Sequence, residues 1–176
     1  FTSLQTDIAN SAQSIEITQD YTYDEKVDAK LNSGIVINKT NFVINGNGHT
    51  LNGNSISRIF DVNGQNITIN NLKFINGKAN IGGAVIIDAS NTIINNCTFN
   101  RNNATTDGGA IVFRNYGAVI NSIFTDNYSP DTAGIGVYGS AVDVNSSTFY
   151  SKIPLEKGFI HGARAIIYLN NCTFKD

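Results

Sequence analysis

The chain of 176 residues contains no methionine, no tryptophan, two prolines and two cysteines. Charged residues make up 15% and the net charge is −2, with no basic run. That excludes the electrostatic footprint of a nucleic-acid binder or of a protein that rides on anionic membranes. The longest apolar run, Ala165 to Leu169, is far shorter than the roughly 20 residues of a membrane-spanning helix, so direct membrane insertion is not expected. No charged-then-apolar leader precedes Phe1, so export would require a larger parent protein. The two cysteines do not suggest a disulfide. Cys97 and Cys172 occupy one column of a repeat three periods apart, about 14 Å in a stack with roughly 4.8 Å per layer, whereas a disulfide needs Cα atoms within about 7 Å. Two free, buried thiols are predicted.

What the chain does have is asparagine, 26 residues beside 16 glycines, and a fixed period. Phe74, Phe99, Phe124, Phe149 and Phe174 stand 25 residues apart. Five residues before each stands an aliphatic residue: Ile69, Ile94, Val119, Val144 and Leu169, with Ile44 one step upstream. A period of this length marks a solenoid, whose repeats bury their apolar side only by stacking on one another. The asparagines suit its turns, because Asn tolerates left-handed backbone and hydrogen-bonds its own neighbours.

Phe1, Leu4, Ile8 and Ala12 recur at helical spacing, with Thr2 or Ser3 available as N-cap. A solenoid must cover its raw apolar end, so residues 1–33 are read as an N-terminal cap. It comprises that helix, strands at 14–18 and 21–23, and a polar loop from Asp24 to Ser33. From Gly34 onward the segments 34–38, 41–45, 58–62, 66–70 and 72–75 are too short for helices, and about three fit one period. The expectation is all-β: a right-handed parallel β-helix of about six coils over residues 34–176. The chain stops in mid-coil after Phe174, which predicts that further repeats or domains of the parent chain follow.

This frame makes positional claims. Asn71, Asn96, Asn121 and Asn171, with Ser146 as substitute, are expected to stack as an asparagine ladder. Leu72, Cys97, Ser122, Ser147 and Cys172 are expected to point inward with the phenylalanines. Arg101 and Asp126 are expected to pair on adjacent coils. Residues 150–158, with Pro154, are read as a protruding loop. Seven N-x-[ST] sequons occur; Asn103 and Asn127 are the expected acceptors, in exposed turns.

Gly82-Gly-Ala-Val85 and Gly108-Gly-Ala-Ile111 fit a GGA-plus-aliphatic motif, while Phe99-Asn-Arg-Asn102 and Phe124-Thr-Asp-Asn127 fit F-x-x-N. Together they resemble the repeats of chlamydial polymorphic membrane proteins. The helical start, Gly46-Asn-Gly-His-Thr50 and Asn96-Cys-Thr-Phe99 make the whole layout resemble the adhesin-like surface proteins of methanogenic archaea. In the next two repeats Ala133-Gly-Ile-Gly136 and Gly158-Phe-Ile-His161 stand where GGA would recur. The resemblance implies a pectin-lyase-like β-helix on a cell surface, used for attachment.

A polysaccharide lyase of this architecture would need clustered acids for calcium and a basic residue, and a glycoside hydrolase would need paired carboxylates. The acids here are spread singly: Asp61, Asp88, Asp107, Asp126, Asp131 and Asp143. Asp107, Asp126 and Asp131 could converge on neighbouring turns beside Arg101 and Arg114, though turn and surface roles fit them as well. His49 and His161 lack acids at ligand spacing and read as turn or coil-surface residues. No catalytic residue, metal or cofactor is therefore assigned.

Val85-Ile-Ile87 and Ile111-Val-Phe113 are apolar at three successive positions, so one residue of each must face out. Ile86, Val112 and Val137, with Tyr116 nearby, are expected to form an outward apolar stripe for a partner. The leading expectation is a non-catalytic cell-surface adhesin domain, extracellular and binding a protein or glycan of another cell through its lateral faces. The alternatives are a polysaccharide lyase or glycoside hydrolase and a passive stalk.

Overall fold

A computed structural model of the chain describes residues 1–155 and 157–175. It is a parallel β-solenoid of about six turns with a short N-terminal helix. Each turn contributes one strand to each of three stacked sheets. The first sheet has seven strands, from Ser14–Glu16 to Ile166–Asn170, and the second has seven, from Tyr21–Thr22 to Thr173–Lys175. The third has six, from Ile35–Ile37 to Ile160–Ala163. Coil stacking thus begins at Ser14, within the segment expected to be only a cap. A fourth, two-stranded pairing, Lys78–Ile81 with Asn103–Asp107, lies between the second and third sheets in chain order. We call it the flap.

The phenylalanine column is the centre of the stack. Phe74, Phe99 and Phe124 pair in register with their neighbours in the second sheet. Ring centroids are 4.8, 4.8, 4.6 and 5.0 Å apart down to Phe174, with interplanar angles of 4, 8, 9 and 13°. The rings repeat at the strand spacing, so backbone hydrogen bonding and ring stacking are satisfied by the same translation. Leu72, Cys97, Ser122 and Ser147 are buried beside them, and Cys97 is a free thiol pushed up to about 12 by burial. Cys172 is also free but only half-buried, in the last coil.

Asparagine serves the corners. Asn71, Asn96, Asn121, Ser146 and Asn171 all have φ between 50 and 53°, the left-handed conformation that Asn tolerates best after glycine. They turn the chain from the first sheet to the second, and their side chains are exposed. The expected amide ladder lies elsewhere, because in this column only Asn171 donates across coils, 3.4 Å to Ser146, among the described residues. One ladder runs through a different corner, Asn91 to Asn66 to Asn41 at 3.0 and 2.7 Å. Another runs along the outer face of the first sheet, from Asn95 to Asn70 to Asn45, and ends on the Glu16 carboxylate at 2.6 Å. A third is internal. Asn102 Nδ2 donates to Phe74 O and to Asn127 Oδ1, and Asn127 Nδ2 donates to Phe99 O. That explains the F-x-x-N motif: the Asn caps the phenylalanine carbonyl of the preceding coil. It also removes Asn127 as a glycan acceptor, since its amide is buried and engaged. Asn103 is exposed in the flap.

The helix Thr2–Asn10 buries Phe1, Leu4 and Ile8 over the first coil, with Phe1 edge-on to Tyr23 at 5.6 Å. Ala12 lies beyond it. Its N-cap is not Thr2 or Ser3. The buried Asp28 carboxylate accepts from the Phe1 nitrogen, the Thr2 N–H and the Thr2 hydroxyl, at 2.7 to 2.9 Å. Asp28 is positioned by a helical turn, Glu25–Asp28, and a 3₁₀ turn, Ala29–Leu31, where a loop was expected. Asp24 nucleates that turn by accepting from Lys26 N–H. Residues 151–159 do leave the coil as a loop between strands, although Glu156 within it lies outside the described residues. Arg101 and Asp126 share a corner column without forming an ion pair; Asp126 accepts instead from the Lys152 backbone at 2.8 Å.

Burial alone would raise the Asp28 carboxyl, but hydrogen bonds from the Asp24 N–H, the Phe1 nitrogen and Thr2 outweigh it and hold the group well below its ordinary 3.8. A depressed carboxyl stabilises the fold above its unfolded-state value and loses that contribution as pH falls through the folded one. Stability is therefore expected to drop in acid below about pH 4, and Asp28→Asn is expected to lower it at neutral pH and flatten the acid limb in pH-dependent urea unfolding. In the same assay Phe99→Ala is expected to cost about 3–5 kcal/mol, and Phe174→Ala, whose ring is 44% exposed, much less.

Candidate functional site

The third sheet carries the features that break the repeat. Its strands begin at residues 35, 60, 85, 111, 135 and 160, so two steps depart from 25. The longer one arises in the flap, where Ala104 pairs with Ala79 but Asp107 pairs with Ile81. One extra residue is accommodated there as a β-bulge, and the following coil is one residue shorter. The outward column of the sheet is therefore Val36, Asp61, Ile86, Val112, Gly136 and His161. Val137 pairs with Phe113 and faces the core.

This register corrects the expected apolar stripe. Ile86 and Val112 do face outward, but they are only 5% and 0% exposed. The flap turns cover them: a Cβ on Gly108 would stand 2.4 Å from Val112 Cγ2, and one on Gly82 would stand 3.3 Å from Val112 N. These glycines, both with φ near 60°, are the first residues of the two GGA motifs. Close approach of the turn to the sheet is what demands them. Arg58 ties the flap down, its guanidinium donating to Gly82 O, Ile81 O and Ser33 O at 2.9 to 3.1 Å. Burial pushes Arg58 down and the neighbouring Asp61 carboxyl up. Tyr116 belongs to another corner, with its hydroxyl donating to Asp143 at 2.7 Å on the first sheet.

Beyond the flap the outer face carries a polar cluster. Asp107, at the end of the bulge, is 1% exposed. Its Oδ1 accepts from Gly108 N–H at 2.6 Å, and its Oδ2 accepts from the Tyr138 hydroxyl. The carboxylate lies on Gly136, where a Cβ would stand 2.7 Å from Oδ2. Burial, then the hydrogen bond to Asp107, raises the Tyr138 phenol. Asp131 reaches in from the preceding loop, accepting from Lys157 Nζ at 2.6 Å and standing 3.6 Å from His161 Nδ1. The Lys157 hydrogen bond lowers its carboxyl. One ligand atom each from Asp107, Asp131 and His161 lie within 4.8 Å of one another. Two of the three acids considered from sequence thus converge, while Asp126 stands at a different corner. His161 joins them because it lies one strand below Gly136, against which the Asp107 carboxylate packs.

Beside this cluster is an open cleft of about 540 Å³ lined by Ile81, Arg114, Tyr138, Gly139, Ala163 and Arg164. Arg114 pairs with Asp88 at 3.1 Å. Arg164 is exposed, has φ 53° and makes no ion pair or side-chain hydrogen bond among the described residues. A second hollow of about 690 Å³ lies where the flap meets the N-terminal turns, lined in part by Ile56, Arg58, Lys78, Asn80 and Thr105. No helix of the described residues is long and apolar enough to cross a membrane. Comparison with known proteins finds no match to a family model, to a curated protein or to a solved structure.

Gly136→Ala would drive a methyl into the Asp107 carboxylate. It is expected to destabilise the domain by about 1–3 kcal/mol in urea unfolding, the usual range for overpacking, whereas Gly139→Ala meets no atom within 4 Å and costs only the strain of its left-handed φ.

Proposed function

We propose that this domain is a non-catalytic attachment module of a cell-surface protein and that it holds an acidic glycan in the cleft beside the flap. The observation that carries this reading is the pairing of two guanidiniums, Arg114 and Arg164, with Tyr138 and Ile81 around one open cleft. Guanidinium matches carboxylate geometry with two parallel hydrogen bonds, and an aromatic edge with an aliphatic neighbour suits the apolar side of a sugar ring. The cleft lies on a lateral face, beside the strands Ile135–Tyr138 and Ile160–Ala163, so a chain-like ligand can run along the stack. The apolar stripe cannot serve, since Ile86 and Val112 are covered.

A hydrolase is the second reading, favoured by the close approach of Asp107 and Asp131. Carboxylates about 5 Å apart suit a retaining mechanism. Against it, Asp107 is buried and both of its oxygens already accept hydrogen bonds, so it has no open line to a sugar carbon.

The test is calorimetric titration with uronate-containing and neutral oligosaccharides, run beside an assay for new reducing or unsaturated ends. Binding of the acidic series alone is expected, without cleavage, and the double variant Arg114→Ala/Arg164→Ala is expected to weaken it at least about tenfold, as loss of charge-assisted hydrogen bonds does. New chain ends would establish an enzyme, and no binding to any glycan would leave a passive stalk.

A further inference from the structure

We propose that Asp107, Asp131 and His161 form a binding site for a divalent transition metal of the zinc class. The inference is independent of the glycan cleft. The three side chains come from three elements, the flap, the loop before the third-sheet strand Ile135–Tyr138, and the strand Ile160–Ala163. Their ligand atoms are gathered within 4.8 Å. Asp131 Oδ2 and His161 Nδ1 are 3.6 Å apart. Tetrahedral zinc with bonds of 2.0–2.1 Å requires ligand atoms about 3.4 Å apart, so these two stand almost at the required separation. Both are partly exposed, at 27% and 48%, which gives an ion a path in and lets the side chains close on it.

Asp107 supplies the second argument. Its carboxylate is 1% exposed, and among the described residues no cation pairs with it; its partners are a backbone N–H and a tyrosine hydroxyl, both neutral. Buried charges are found paired with an opposite charge or bound to a metal. The bulge and Gly136 aim this uncompensated charge toward the only imidazole on that face, which is the arrangement a metal would complete. Lys157 occupies Asp131 Oδ1, so a metal on Oδ2 leaves that ion pair in place. Two oxygens and one imidazole nitrogen fall short of the 6–8 oxygens calcium takes and match the mixed donors of zinc-class ions. With three protein ligands, a fourth position stays open to water or to a ligand.

The experiment is isothermal titration of the whole chain with zinc chloride, with calcium chloride as the comparison, beside thermal unfolding at saturating metal. Among the described residues there is one other imidazole–carboxylate pair, His49 with Asp20 at 3.1 Å, so His49→Ala is the control. Zinc is expected to bind at one site and raise Tm by several degrees. His161→Ala and Asp131→Asn, both at partly exposed positions and checked for an unchanged circular dichroism spectrum, are expected to weaken zinc at least tenfold. His49→Ala is expected to bind as the parent does, and calcium to leave Tm unmoved. Absence of zinc binding would overturn the proposal, as would equal affinity in His161→Ala and the parent, loss in His49→Ala alone, or calcium binding more tightly than zinc.

Discussion

Coincidence of two spacings governs this molecule. Parallel strands stack about 4.8 Å apart, and the phenylalanine rings stack at 4.6 to 5.0 Å. A ring column can ride on a strand column only if every coil returns its phenylalanine to the same place, which is why the second sheet keeps a strict 25-residue period from Phe74 to Phe174. The first sheet follows it through the aliphatic column at Ile44, Ile69, Ile94, Val119 and Val144, all fully buried. Each coil therefore has two rigid sides. From Phe74 onward, variation in length is absorbed on the third.

The absorption is visible as an outward fold of the chain between the second and third sheets. Extra residues there make the flap, and the flap hides apolar side chains that would otherwise be exposed. The bulge that lengthens one coil also turns Asp107 under the flap edge and against a glycine. Charge, aromatic hydroxyl and guanidinium groups gather where the repeat is least regular, and the rigid sheets behind them hold their positions. A stack of this kind separates the tasks of its residues. Columns that repeat carry stability, and positions that interrupt a column are free to carry chemistry.

Corner geometry explains the composition. Ten asparagines have positive φ, among them Asn41, Asn66, Asn71, Asn91, Asn96 and Asn121. At these corners a left-handed residue must turn the chain while its side chain remains compatible with the coil above. Glycine would meet the first requirement without supplying an amide for the second. Of the corner columns, the one at Asn41, Asn66 and Asn91 uses both properties, while the one at Asn71, Asn96 and Asn121 uses only the backbone preference. Both columns look alike in the sequence, and periodicity alone does not say which of them carries the amide ladder.

Read alone, the sequence determined the solenoid, its coil count, the inward phenylalanine and aliphatic columns, the absence of a disulfide and the capping helix. All of these depend on periodicity or on apolar spacing, which local stacking converts directly into structure. Asp28 as the helix cap, the Asn102–Asn127 pair, the burial of Ile86 and Val112, the inward turn of Val137 and the meeting of Asp107 with Asp131 and His161 were decided by the tertiary structure. The inward turn of Val137 follows from the one-residue slip in the flap and its compensation a coil later, while the others depend on contacts between segments that periodicity does not encode. A slip that cancels leaves the overall period intact, so it is silent in the repeat, yet it moves every outward side chain between its two ends to a new neighbour.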